Sequence, residues 1–213
     1  MTHASLTIIR REHRALSAML RTISLLLAEH KRRSTLPDFD ALHAMLFYVD
    51  EFHEKLHHPK ESRLLFPSLR GHDASTDAVL DRLERDHARG DQSIRDLEHE
   101  LVGFQMMSDT DQCDARREKF ETSMRQYVDR CLEHMHIEET EVLPLAEKAL
   151  TAHDWAALDA AFLANRDAFA GFEADEVYRP LFRKILGSLR ISGVGSALEA
   201  LAGAAQPKYS SEQ

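Results

Sequence analysis

With 213 residues, 43% of them apolar and 30% charged, the chain is long enough to bury one substantial core and too short for several large domains. Its formal charge of -9 argues against a nucleic-acid partner, because gripping a phosphate backbone requires clustered positive charge, and its eight glycines and six prolines are too few for a turn-rich β fold. No stretch approaches the roughly 20 apolar residues of a membrane span, and the charged start MTHASLTIIRREHRAL lacks the unbroken apolar run of a signal peptide, so no membrane partner and a cytoplasmic location are expected.

Helical periodicity then runs along most of the chain. Ile9, His13, Leu16, Leu20, Ile23 and Leu27 alternate three- and four-residue steps and define a first helix with one inward seam. Lys31, Arg32 and Arg33 put positive charge at its C-terminal end, where the helix dipole is negative. After a turn at Ser34 to Pro37, a second helix carries Leu42, Leu46, Val49, His53, His57, Glu61 and Leu64. Pro59 lies inside it, which predicts a kink and a Lys55 carbonyl without its usual partner.

A turn at Gly71 to Asp73 precedes a third helix with Leu80, Leu83, His87, Gly90, Ile94, Leu97, Leu101 and Phe104 on its seam. Ser108 to Asp111 forms the next turn, and Phe120, Met124, Tyr127, Cys131, His134, Glu138, Val142 and Leu145 define a fourth helix reaching about Leu150. Further helices are expected at Asp154 to Ala170, with Trp155, Leu158, Phe162 and Phe169, and at Val177 to Leu186. Beyond Gly187 there is too little apolar bulk for a core, so a flexible tail with a short helix near Ala197 to Ala202 is expected. The fold class is therefore all-α: an antiparallel up-down-up-down four-helix bundle over residues 1–150, additional C-terminal helices over 151–187, and a tail over 188–213. Cys113 and Cys131 fall on one helix roughly 27 Å apart, which excludes a bond between them and implies free thiols in a reducing compartment.

Two copies of one motif stand out. His57-x-x-x-Glu61-x-x-x-x-x-Pro67 recurs as His134-x-x-x-Glu138-x-x-x-x-x-Pro144, and each copy follows a lone upstream histidine, His13 or His87. Residues four apart on a helix are offset by only about 40°, so each histidine points the same way as its glutamate. In an antiparallel hairpin, residues equally far from the turn share a height along the bundle. The halfway points between successive motif sites fall at residues 36 and 73 and between 111 and 112, each in or beside an expected turn. Such a bundle brings four histidines and two glutamates to one level in the core. Two carboxylates a few ångströms apart repel each other, and a divalent cation cancels that repulsion. Imidazole with carboxylate suits iron, manganese or zinc, and six such groups exceed what one tetrahedral ion needs.

This set of residues resembles the hemerythrin-like, or HHE cation-binding, domain over roughly residues 5 to 150. The resemblance implies a four-helix bundle holding two Fe ions, with His13 and His57 on one iron, His87 and His134 on the other, and Glu61 and Glu138 bridging both. Oxygen-carrying hemerythrins place another histidine four residues after the third-helix ligand, where this chain has Asp91, and space the last carboxylate one residue further. Fewer histidines leave more positions for water or an exogenous ligand. The resemblance thus implies binding, sensing or detoxifying O2, NO or peroxide, or handling iron. A catalytic di-iron oxidoreductase and a metal-gated interaction module are the alternatives, and self-association into a homo-oligomer stays open.

Other candidates carry less. His53 and Glu84, each one turn before a motif histidine, are candidates for extra ligands; His53 is expected instead to hydrogen-bond around the centre, and Glu84 to do so or to be a surface charge. His58 and His136 lie off their seams and are expected to face solvent. Cys131 is expected to act as a small core hydrophobe, because no basic group is placed to stabilise a thiolate.

Overall fold

The computed structural model describes residues 3–191, and among them the protein is all-helical with no strand. The first helix, α1, spans Ala4–Arg32 and buries Ile9, His13, Leu16, Leu20, Ile23 and Leu27, the seam given by the periodicity. Its last turn carries His30, Lys31 and Arg32. α2 occupies residues 39–69 and starts at Asp38, whose carboxylate accepts the Ala41 N–H at 3.0 Å. α3 spans Ala74–Met106 and starts at Asp73, which accepts the N–H groups of Ser75 and Thr76, each at 2.9 Å. The turn between α2 and α3 places Gly71 at φ +78°, a conformation that glycine adopts without steric cost. α4 covers residues 113–149.

Both motif-bearing helices leave regular α geometry where the motifs lie. α2 widens into π geometry over Val49–His57 and again over Glu61–Leu65, and α4 does so over Glu138–Val142. In each case the residue just before a proline donates its N–H five residues back: His58 to His53, Phe66 to Glu61, and Leu143 to Glu138. Proline has no N–H, and its ring clashes with the carbonyl four residues earlier. A wider turn relieves that clash, and a π turn precedes each of Pro59, Pro67 and Pro144. Such turns are frequent at functional sites.

α1 packs against α2 and α4, α2 against α3, and α3 against α4. α5, Ala152–Leu163, lies against α1 and α2 and begins at a capping box formed by Thr151 and Asp154. It ends well before Ala170, contrary to the periodicity of Phe162 and Phe169. The side chain of Asn165 donates to Glu12, and Asp167 accepts the Phe169 N–H at 2.9 Å, so these two residues offer the backbone a turn instead of another helical loop. α6, Arg179–Ile191, packs on α2 and runs past Gly187, with Ser188 and Leu189 buried, so the expected tail does not begin at residue 188. The helix expected near Ala197 to Ala202 lies outside the described residues.

The apolar core is divided in two. One cluster gathers Leu20, Ile23, Leu42, Leu101, Phe104 and Phe120 with Phe182 and Ile185 of α6. The other joins Ile9, Phe66, Leu80, Leu83 and Leu143 to Trp155 and Phe162 of α5. Between the two lies a buried layer of histidines and carboxylates. Cys113 and Cys131 are both free. Among the described residues, no helix is long and apolar enough to cross a membrane.

Candidate metal centre

The structure brings together all six residues singled out by the motif repeat. His13 comes from α1, His57 and Glu61 from α2, His87 from α3, and His134 and Glu138 from α4, and all six are buried. The histidines meet in pairs through their Nε2 atoms, His13 with His57 at 3.2 Å and His87 with His134 at 3.0 Å. The glutamates connect the pairs. Glu61 places Oε1 3.1 Å from His57 Nε2 and Oε2 3.6 Å from His87 Nε2. Glu138 places Oε1 3.1 Å from His134 Nε2 and Oε2 3.3 Å from His13 Nε2.

A ring of outer partners aims these imidazoles. His57 Nδ1 lies 2.7 Å from Glu12 Oε2, His13 Nδ1 lies 3.0 Å from Glu139 Oε1, and His87 Nδ1 lies 2.8 Å from Ser62 Oγ. His134 Nδ1 faces Asp86 Oδ2 at 3.8 Å, an ion-pair distance. A carboxylate can only accept, so it holds a proton on Nδ1 and makes Nε2 the ring nitrogen turned inward for a metal, the orientation a ligating histidine needs. The sequence gives little sign of Glu12, Ser62, Asp86 or Glu139 in this role, because their partners sit on other helices.

His58 corrects the sequence reading most. Its off-seam position predicts a solvent-facing ring, but it is buried and stacked on His87 with centroids 3.9 Å apart. Seam directions assume a regular α turn on both sides, and the π turns flanking residue 58 rotate it inward. His53 is buried too, held by ring contacts to His57 at 4.9 Å and His58 at 4.1 Å rather than by the hydrogen bond expected of it. Glu84 stays at the surface, paired with Arg70 at 2.8 Å, and takes no part in the centre. His136 is exposed, as expected.

The electrostatics show a site short of positive charge. Burial is the strongest influence on His134 and lowers its pKa, but Glu138 and Asp86 outweigh it and raise the imidazole to about 10. At His57 burial likewise acts downward and is overcome by Glu61 and Glu12, which raise it well above the usual histidine range. Burial pushes the Glu138 carboxyl upward, yet His134, His13 and His87 hold it well below the usual range. His58 and His53, by contrast, are driven well down by burial and by the neighbouring imidazoles.

These donors fit a cation. Both carboxyl oxygens of Glu61, both of Glu138, and His58 Nε2 are buried without a hydrogen bond. Leaving such groups uncompensated costs on the order of several kcal/mol each. Two groups of mutually close donors emerge, His13 with His57, Glu61 and Glu138, and His58 with Glu61, His87 and His134. Mixed nitrogen and carboxylate donors suit borderline metals such as iron, manganese and zinc.

Comparison with protein families matches the hemerythrin HHE cation binding domain over residues 4–146. Neither the curated proteins nor the solved structures give a match. The matched span contains every donor named above and covers most of the chain, which therefore belongs to the hemerythrin HHE cation-binding domain family.

Proposed function

We propose that the protein holds two metal ions, irons by preference, and uses them to bind, sense or detoxify a small ligand such as O2, NO or peroxide. The observation that carries this reading is the pair of buried glutamates, Glu61 and Glu138, each facing histidines of both pairs with no hydrogen bond to its carboxyl oxygens. His13 and His57 would hold one ion, His87 and His134 the other, and Glu61 and Glu138 both. Two irons in such a site would supply open coordination positions and a one-electron redox couple. Glu12, Glu139 and Ser62 keep the imidazoles oriented, and the two apolar clusters keep bulk water from the layer between them.

The short connections at residues 33–38, 70–73 and 107–112, with neighbouring helices in contact, favour an antiparallel up-down-up-down order. On this reading residues 1–150 form the bundle, with α5 and α6 accessory to it.

Metal analysis and an absorption spectrum of protein purified without added metal test the assignment, beside Glu61→Ala and His134→Ala. The wild type is expected to carry about two irons and the variants far less. A metal-free, colourless wild type would overturn it. The cavity beside His58 and His134 favours a second reading, in which the same centre turns over iron, peroxide or NO catalytically. Steady-state turnover separates the two, because a binder saturates.

A further inference from the structure

The two halves of the centre are unequal. On the His13 side, α5 and the residues after it close the site: the Phe162 ring stands 5.7 Å from that of His57, and Asn165 donates to Glu12. On the His87 side there is an additional imidazole and an opening. His58 directs Nδ1 at Glu54 Oε2, 2.9 Å away, and its Nε2 is left buried without a partner in the same group as Glu61, His87 and His134. This is the pattern of His13, His57 and His87: Nδ1 on an oxygen acceptor and Nε2 toward the layer. His53, equally buried and nearer to the seam, lacks such an acceptor.

The acceptor of His58 is itself held in place. Tyr127 donates to Glu54 Oε1 at 2.6 Å. Across from it, α3 presents Gly90, where an added Cβ would come within 2.5 Å of Glu54 Oε2. A glycine in the middle of a long helix is unfavourable for that helix. Here it makes the room that Glu54 occupies. The same face borders a cavity of about 20 Å³ lined by residues including His53, Glu54, His58, Tyr127, Arg130 and His134, room for about one water-sized molecule.

We propose that His58 is a third imidazole ligand of the second metal position, aimed by Glu54 in the space left by Gly90, so that the position nearer the cavity has His58, His87 and His134 and the other has two histidines. This rests on the metal-binding reading above.

The experiment compares wild type, His58→Gln, Gly90→Ala and His53→Ala, each loaded anaerobically with ferrous iron. The readouts are metal content, helicity by circular dichroism, release rate to a chelator, and the number of imidazoles per metal from X-ray absorption. His58→Gln is expected to keep its helicity and fall from about two equivalents to about one, or to lose the second ion at least roughly tenfold faster. Gly90→Ala is expected to shift in the same direction by displacing Glu54, whereas His53→Ala keeps both ions. Two ions held as firmly in His58→Gln as in the wild type would overturn this proposal and leave the metal-binding reading intact. A wild type that takes up no metal would overturn both. Should His58→Gln fail to fold, the loaded wild type decides, since five histidines shared by the two metals support the proposal and four overturn it.

Discussion

Glu138 and His134, one helical turn apart on α4, meet at 3.1 Å, while the other oxygen of Glu138 lies 3.3 Å from His13 on α1. One carboxylate thus touches a histidine of each pair. It favours protons on both: against the larger downward effect of burial, Glu138 with Asp86 and Glu61 raises His134 to about 10, and Glu138 with Glu139 raises His13. A cation must displace those protons to reach Nε2. Metal uptake at pH 7 is therefore expected to release protons, and affinity is expected to weaken as pH falls. Calorimetry in two buffers of different ionisation enthalpy measures the release, and equal heats in both would contradict it.

Replacing Glu138 by Gln leaves His134 as buried as before but without its main stabilising charge. Its pKa should drop steeply from about 10, since burial alone pushes an imidazole down. Titration of the ring by NMR in metal-free protein reads this directly, and an unchanged midpoint would show that Asp86 and Glu61 suffice.

Phe162 is fully buried and joins α5 to the cluster containing Ile9, Phe66 and Leu143, close to the His57 ring. Phe162→Ala is expected to cost about 3–5 kcal/mol through lost burial and a residual cavity. Chemical denaturation gives the figure. A loss below about 1 kcal/mol would mean that α5 is not integral to the bundle.

Asp167 accepts from Tyr48 at 2.8 Å in a buried position, and burial, partly offset by that hydrogen bond, raises its carboxyl from 3.8 to about 7. The folded state therefore holds more protons than the unfolded chain between these values. Its contribution to stability is fully present below the unfolded pKa and is lost as pH rises through about 7. The span amounts to on the order of a few kcal/mol. Asp167→Asn is expected to make the change in thermal stability of metal-free protein between pH 5 and pH 8 less negative, leaving the slopes due to Glu54, whose carboxyl is also raised to about 7, and to the buried histidines. An unaltered profile would remove Asp167 from the account.

Burial pushes the Cys131 thiol up to about 12. Native protein should alkylate slowly at this position at pH 8 and rapidly once unfolded, as mass spectrometry of iodoacetamide-treated protein would show. Rapid native labelling would mean that α4 opens locally.

The helix seams, the turns at Ser34 to Pro37, Gly71 to Asp73 and Ser108 to Asp111, and the convergence of His13, His57, Glu61, His87, His134 and Glu138 were all legible in the sequence. Periodicity and equal rise per residue are local rules, and a duplicated motif applies them twice. The tertiary structure alone decided the rest. His58 turns inward because π turns before Pro59 and Pro67 break the α-helical direction on which a seam is counted. α5 stops at Leu163 because Asn165 and Asp167 find partners on α1 and α2. Gly90 looks like a weakness in α3 until Glu54 of another helix fills the space beside it. Each of these depends on groups far apart in the chain, and no local pattern records which of them meet.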